Sequence, residues 1–157
     1  MAGKLISVVG GSAATAEDTV AAEELGTLLA GLGYTIVCGG KGGIMEAVCR
    51  GARKKGGETI GILPGIDPGE ANPWVSTVIL TGMGSARNRI VALTGRAVVA
   101  VGGRYGTLSE IAFALDAGRP VCSMGGWTGI EGVVPVATPS QALEFVIERT
   151  GGPNAQH

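Results

Sequence analysis

The sequence predicts an α/β fold: a single Rossmann-like domain whose parallel sheet carries helices on both faces. Short, continuous apolar runs such as Val98–Val101 alternate with longer segments of helical periodicity. Runs without polar alternation mark strands covered on both sides. Glycines cluster directly after these runs, at 10–11, 39–43 and 102–106, where a parallel sheet hands the chain to a helix. Length agrees, since 157 residues suit one domain burying roughly 70% of the surface its unfolded chain exposes.

Each element follows from its residues. Leu5 to Val9 is a first strand, ended by Gly10-Gly11-Ser12. A helix covers about Ala16 to Leu32, with Ala21, Leu25, Leu28, Leu29 and Leu32 on one face. Thr15 and Asp18 are placed to cap its start, and Gly33 to stop it. Thr35 to Cys38 is a second strand, followed by Gly39-Gly40-Lys41-Gly42-Gly43 and a helix from about Ile44 to Lys54. Thr59 to Leu63 is a third strand, and Ile66 to Asn72 a polar loop. Val75 to Leu80 makes a fourth strand, and Ala86 to Thr94 a short helix closed by Gly95.

Val98 to Val101 is the fifth strand, and Gly102, Gly103 and Gly106 allow a sharp turn before a helix that opens at Thr107. Pro120 to Met124 is the sixth strand. Thr138-Pro139-Ser140-Gln141 forms a capping box with proline at the first helical position, starting a last helix that runs to about Arg149. Residues 1–150 thus form one domain, and 151–157 a flexible tail.

Composition narrows the function. Net charge is −1 and aromatics are only 4%, which argues against a nucleic-acid surface or a polybasic membrane patch. Apolar runs stay far short of the roughly 18 residues of a membrane span, and no signal peptide is visible. Cys38, Cys49 and Cys122 lack metal or CxxC spacing and are expected as free thiols in a reducing cytoplasm. The only histidine, His157, lies in the tail, which leaves His triads, His acid–base chemistry and His metal sites without a donor. No metal site is expected.

The glycine turns all fall at the carboxyl edge of the predicted sheet, where such folds bind ligands. The turn at 102–107 matches neither the P-loop nor Gly-x-Gly-x-x-Gly. It still brings free helix N–H groups and a positive dipole end to one point, the geometry that binds a phosphate. Helix starts ordinarily attract acids, as Glu17 and Asp18 illustrate. At the ligand edge the pattern reverses: Lys41 precedes the second helix, Arg87 and Arg89 open the short one, and Arg104 sits inside the glycine turn. Cations added to positive helix ends make sense if an anion is bound there. Glu110 has two readings. It fits a capping box with Thr107, and it fits a carboxylate at the mouth of an anion site beside Arg87, accepting a ribose hydroxyl or stabilising an oxocarbenium-like transition state.

Gly102-Gly103-Arg104-Tyr105-Gly106-Thr107-Leu108-Ser109-Glu110 resembles the Pro-Gly-Gly-x-Gly-Thr-x-x-Glu signature of the LONELY GUY superfamily, which once carried a lysine-decarboxylase label. Many of its members are phosphoribohydrolases that cut a cytokinin base from its ribose monophosphate. Met83-Gly84-Ser85-Ala86-Arg87-Asn88 resembles the second motif, Met-His-x-Arg-Lys. The likeness runs from Val8-Val9-Gly10-Gly11-Ser12 to Gly118-Arg119-Pro120. Three departures stand out: Val101 replaces the signature proline, the motif histidine is missing, and the second glycine turn is short. These resemble a sister branch, the molybdenum cofactor carrier-like proteins.

The resemblance implies two function classes. One is a binding or carrier protein for a phosphate-bearing small molecule, either a molybdenum cofactor-type pterin or a nucleotide, with no cofactor required. The other is an N-glycosidase acting on a nucleoside 5'-monophosphate of AMP or cytokinin type, with Arg87 and Glu110 catalytic; it is not a lysine decarboxylase. The carrier class is preferred, because the retained pair is flanked by altered motifs. Either ligand would be held by Gly10, Gly11, Ser12, Gly39, Gly40, Lys41, Gly42, Gly43, Met83, Arg87, Asn88, Gly102, Gly103, Arg104, Tyr105, Gly106, Thr107 and Glu110. A homodimer or higher homo-oligomer is expected from the low charge fraction and the resemblance.

Overall fold

A computed structural model describes residues 4–156. In chain order the elements are β1 (Leu5–Gly10), α1 (Ala16–Gly31), β2 (Thr35–Cys38), α2 (Ile44–Lys54), β3 (Thr59–Leu63), β4 (Thr77–Leu80), α3 (Arg87–Thr94), β5 (Val98–Val101), α4 (Tyr105–Asp116), β6 (Val121–Met124), β7 (Val133–Pro135) and α5 (Pro139–Thr150). Short 3-10 turns lie at Pro68–Glu70 and Gly84–Ala86. All seven strands join one sheet in the order β4-β3-β2-β1-β5-β6-β7, and every pairing is parallel. The order reverses between β1 and β5, so the crevice beyond their carboxyl ends is the topological switch point.

The inner strands bury both faces, as their largely apolar runs predict, while edge strand β4 is mostly exposed. Ile6 and Val8 point into one core layer with α1, α2 and α5. Val9, Val98 and Ala100 point into the other, with α3 and α4. Ser7 is the polar member of this alternation and is fully buried. Its hydroxyl donates to the Val91 carbonyl at 2.6 Å and accepts from the Gly95 N–H at 2.9 Å, so no polar group there is stranded.

Local chemistry sets the helix ends. Thr15 Oγ1 accepts from the Asp18 N–H at 3.0 Å, and Gly33 (φ 93°) carries the chain off the end of α1. At α5, Thr138 Oγ1 accepts from the Gln141 N–H, while Gln141 Oε1 accepts from the N–H of Ala137 and not of Thr138. Gly151 ends α5 in the left-handed region (φ 75°), its N–H bonded to the Ile147 carbonyl. The tail histidine, His157, lies outside the described residues.

Four expectations need correction. The buried face of α1 is Ala22, Leu25, Gly26 and Leu29, and Leu32 is exposed. Gly26 moves the face because α2 packs directly on it: a Cβ there would overlap the Val48 carbonyl, and one at Gly51 would overlap the Glu23 carbonyl. β4 starts at Thr77, because the Val75 N–H turns back to Asn72 and Ser76 is engaged with Thr59. α4 starts at Tyr105 and not Thr107. The three-residue β7 was not expected; it closes on Pro135, which an edge strand tolerates since one side of its backbone needs no partner. Among the described residues, no helix is long and apolar enough to cross a membrane.

Candidate functional site

The turns after β1, β2 and β5 are built against one another. Gly43 (φ 64°) lies on the Gly11 and Ser12 carbonyls with no room for a Cβ, and the Ile44 N–H donates to the Gly11 carbonyl at 3.0 Å. Gly102 (φ 54°) and Gly103 (φ 91°) turn the chain out of β5. The Gly102 N–H is tied to the Met124 carbonyl at 2.9 Å, and Thr107 packs its hydroxyl where a Cβ of Gly103 would stand. Arg104 caps α4 without a side-chain hydrogen bond. The first N–H groups of this twelve-residue helix therefore face outward from the turn, free to bond a ligand.

A cavity of about 420 Å³ opens above this edge. The β1 turn supplies Gly10, Gly11 and Ser12, the β2 turn Lys41, and α4 with its cap supplies Arg104, Gly106, Thr107 and Glu110. Arg87 and Asn88 reach it from the start of α3, and Met45 from α2. Asn88 Nδ2 donates to Ser109 Oγ at 3.2 Å, and Ser109 donates to the Gly106 carbonyl at 2.6 Å, so α3 is pinned to the first turn of α4. Lys41 Nζ is bonded to Glu70 Oε2 at 3.1 Å.

Arg87 is the unusual member. Its guanidinium lies over Gly39, where any Cβ would overlap Nη1. Nε is buried without a hydrogen-bond partner, and among the described residues Arg87 forms no ion pair. Burial lowers its pKa, with the Glu110 charge acting the other way. Glu110 is only 8% exposed. Burial pushes its carboxyl up to about 8, against the pull of Arg87. Burial thus weighs against the charged form of both groups, and neither has an ion-pair partner among the described residues.

The capping alternative for Glu110 does not hold. With α4 beginning at Tyr105, Thr107 is the third helical residue and Glu110 the sixth, so Glu110 lies beyond the first turn. Beneath the site, the thiols of Cys38 and Cys49 lie 3.5 Å apart, and the Gly40 N–H donates to Cys38 Sγ at 3.3 Å. All three cysteines are free, as expected.

A second cavity of about 230 Å³ adjoins the first, sharing Gly11, Ala13 and Arg104. Gly102 and Gly103 line it, together with Thr15, Asp18 and Gly125. Trp127 Nε1 donates to the Gly103 carbonyl at 3.1 Å, and the Tyr105 ring, 75% exposed, lies 6.4 Å from the Trp127 ring.

Of the residues singled out from sequence, most thus converge on these two adjoining cavities. Gly39, Gly40 and Gly43 act from behind, by giving room to Arg87 and to the neighbouring turns. Gly42 has open space around it. Met83 is 52% exposed and lines neither cavity, as does Tyr105 at the outer edge. Arg89 sits over the Phe113 ring, 5.3 Å from its centroid, and so faces away. Sequence reasoning passed over Asp18 as a cavity residue, because an acid in a first helical turn already has an explanation. It also passed over Gly125, although Gly125-Gly126 repeats the signal of glycines after a strand.

Comparison with known proteins places this architecture. The model of the SLOG cluster4 family matches residues 4–150. An uncharacterized protein of Archaeoglobus fulgidus is 39% identical over 142 residues, covering 90% of this chain and 93% of its own. The molybdenum cofactor binding protein of the phototrophic bacterium Rippkaea orientalis superposes with a TM-score of 0.88 at 35% identity, over 92% of this chain and 95% of its own. The molybdenum cofactor carrier protein of Chlamydomonas reinhardtii gives a TM-score of 0.86 at 37% identity, over 94% and 98%.

Proposed function

The chain belongs to the SLOG cluster4 family, and we propose that it is a binding and carrier protein for a phosphate-bearing pterin or nucleotide. The observation that carries this reading is Arg87: a guanidinium with a buried, unpartnered Nε at the mouth of an anion-ready helix start. An unpaired, partly desolvated cation is costly unless a ligand supplies the charge. In this reading the phosphate sits on the α4 N-terminus between Arg87, Lys41 and Arg104, with the Gly103–Thr107 turn donating backbone N–H groups. Gly10, Gly11 and Ser12 close the opposite side. The structural neighbours named for the molybdenum cofactor favour a pterin of that type, which the glycine-lined second cavity can accept as cargo.

The same pair is where an N-glycosidase would keep its catalytic groups. The altered motifs around that pair favour the carrier. The Glu110 carboxyl, pushed up to about 8, is largely neutral at pH 7, and a bound phosphate beside it raises it further. In the neutral form it donates a hydrogen bond to the ligand; the same raised carboxyl would suit a general acid, so the choice between the two readings rests on the assay. Incubation with AMP and related adenine nucleotides should return them intact, and native mass spectrometry of protein from its own host should show a copurified phosphate-bearing mass. Robust release of adenine, abolished by Glu110→Gln, would establish the hydrolase.

The assembly we propose is a homodimer or higher homo-oligomer. Edge strand β4 exposes Ile79 and Leu80, with Ile66, Met83 and Ile90 also exposed among the described residues. Apolar side chains on an open sheet edge favour a covering partner. Sedimentation as a clean monomer at micromolar concentration would remove this part of the reading.

A further inference from the structure

We propose that the smaller cavity is a ring subsite in which Asp18 reads the N–H edge of a 2-amino-4-oxopyrimidine ring, so that a pterin or guanine is chosen over adenine. This rests on the phosphate reading above and deepens it.

The two cavities meet at Gly11, Ala13 and Arg104, and together they match the roughly 300–1,000 Å³ of ordinary small-ligand sites. Arg104 stands where they meet, and beyond it their charges differ. The larger collects Arg87, Lys41 and a helix N-terminus. The smaller holds one charged acceptor, the Asp18 carboxylate, with the Thr15 hydroxyl beside it and glycine backbone around it. Asp18 Oδ2 lies 2.7 Å from where a Cβ of Gly102 would be, and Oδ1 lies 2.8 Å from where a Cβ of Gly125 would be. Two turns, after β5 and after β6, thus dispense with side chains to make room for this carboxylate. Gly102 (φ 54°) and Gly125 (φ 79°) both use backbone that favours glycine. Among the described residues, Asp18 makes no ion pair and its carboxylate accepts no hydrogen bond.

A carboxylate repels a second phosphate, so the anionic end of a ligand belongs in the larger cavity and its ring in the smaller. What a carboxylate accepts best is a pair of adjacent N–H donors. A 2-amino-4-oxopyrimidine, in a pterin or in guanine, presents a ring N–H next to an amino group. Adenine presents a ring acceptor at the same place, which would face the carboxylate lone pairs. Hypoxanthine keeps the ring N–H and lacks the amino group, so it falls between. Asp18 also stabilises the start of α1, but so does the exposed Glu17 in the same turn. Glu17 lines neither cavity and serves as the control.

The experiment is titration calorimetry of the full chain with pyrophosphate, GMP, IMP and AMP, on the parent, Asp18→Asn and Glu17→Gln. The parent should bind GMP about tenfold or more tighter than AMP, with IMP between. Asp18→Asn should bring GMP to within about twofold of AMP while pyrophosphate binding holds, and Glu17→Gln should keep the parent's order. If pyrophosphate binds but GMP and AMP match in the parent, or if Asp18→Asn weakens every ligand alike, the ring subsite is wrong and the phosphate reading stands. If neither pyrophosphate nor any nucleotide binds, both are overturned.

Discussion

Glu23 and Arg87 are charged side chains in two parts of the same small domain, and their surroundings differ in kind. At the seam between α1 and α2, Glu23 accepts from Arg50 Nε at 2.9 Å and from Lys54 Nζ at 3.1 Å, and these partners hold its pKa down. The two helices meet there through Gly26 and Gly51, each pressed on a carbonyl of the other helix. At the switch point, Arg87 and Glu110 face one cavity with no such partners, and Gly39 leaves space where a side chain would otherwise displace the guanidinium. The seam is complete by itself. At the site, Arg87 Nε is buried with no hydrogen-bond partner. Glycine serves close packing in the first region and access in the second, so the same substitution should cost stability at one and affinity at the other.

The largest expected effect is at the seam. Helix propensity alone says Gly26→Ala should gain about 1 kcal/mol. The collision with the Val48 backbone says it should lose about 3 kcal/mol, because two helices must move apart. Urea unfolding decides, and a stabilised variant would break the comparison.

Glu110→Gln comes next, and its size depends on pH. Because the folded carboxyl is raised to about 8 from an ordinary 4.5, the folded state binds the extra proton between those values. Stability contributed by Glu110 is therefore whole below about pH 4.5 and is lost as pH rises through 8. Gln has no charge to bury. The variant should match the parent below about pH 4 and exceed it by on the order of 2 kcal/mol at pH 6, the gap widening until about pH 8. Thermal unfolding across this range checks it, and parallel pH profiles would show that Glu110 is not buried as described.

Gly39→Ala is the mildest for folding and sharpens the contrast. The added methyl meets the flexible end of Arg87, so stability should shift by less than about 1 kcal/mol. The displaced guanidinium should weaken pyrophosphate binding about tenfold. A large stability loss with intact affinity would mean that Gly39 belongs with Gly26.

Much of this was legible before the structure. Val98–Val101, Leu5–Gly10 and Thr35–Cys38 are continuous apolar runs of strand length, and the glycines behind them mark the carboxyl edge. Arg87 stands out in the sequence, since an arginine at a helix start opposes the helix dipole, whereas Glu110 also fits a capping box and its pairing with Arg87 rests on the resemblance. Other features carried no local signal. β7 is too short to show a pattern and is placed by its pairing with β6 and by Val133 in the core. The buried face of α1 was misplaced because Gly26, with no apolar side chain, counts as neutral in a periodicity yet sits deepest in the contact. Asp18 could be read as a capping acid without leaving the helix, and only the turns after β5 and β6 place it in a cavity.

The central claim is that Arg87 waits for a phosphate. Titration calorimetry of the parent and Arg87→Ala with pyrophosphate, run beside thermal unfolding of both, tests it most directly. Losing an unpaired, half-buried cation should leave stability unchanged or slightly higher, while affinity falls by roughly 1.5–3 kcal/mol, the worth of a charge-assisted contact. Equal affinity in the two proteins, or a variant that unfolds more easily and binds as well as the parent, would make Arg87 a structural residue and contradict the account.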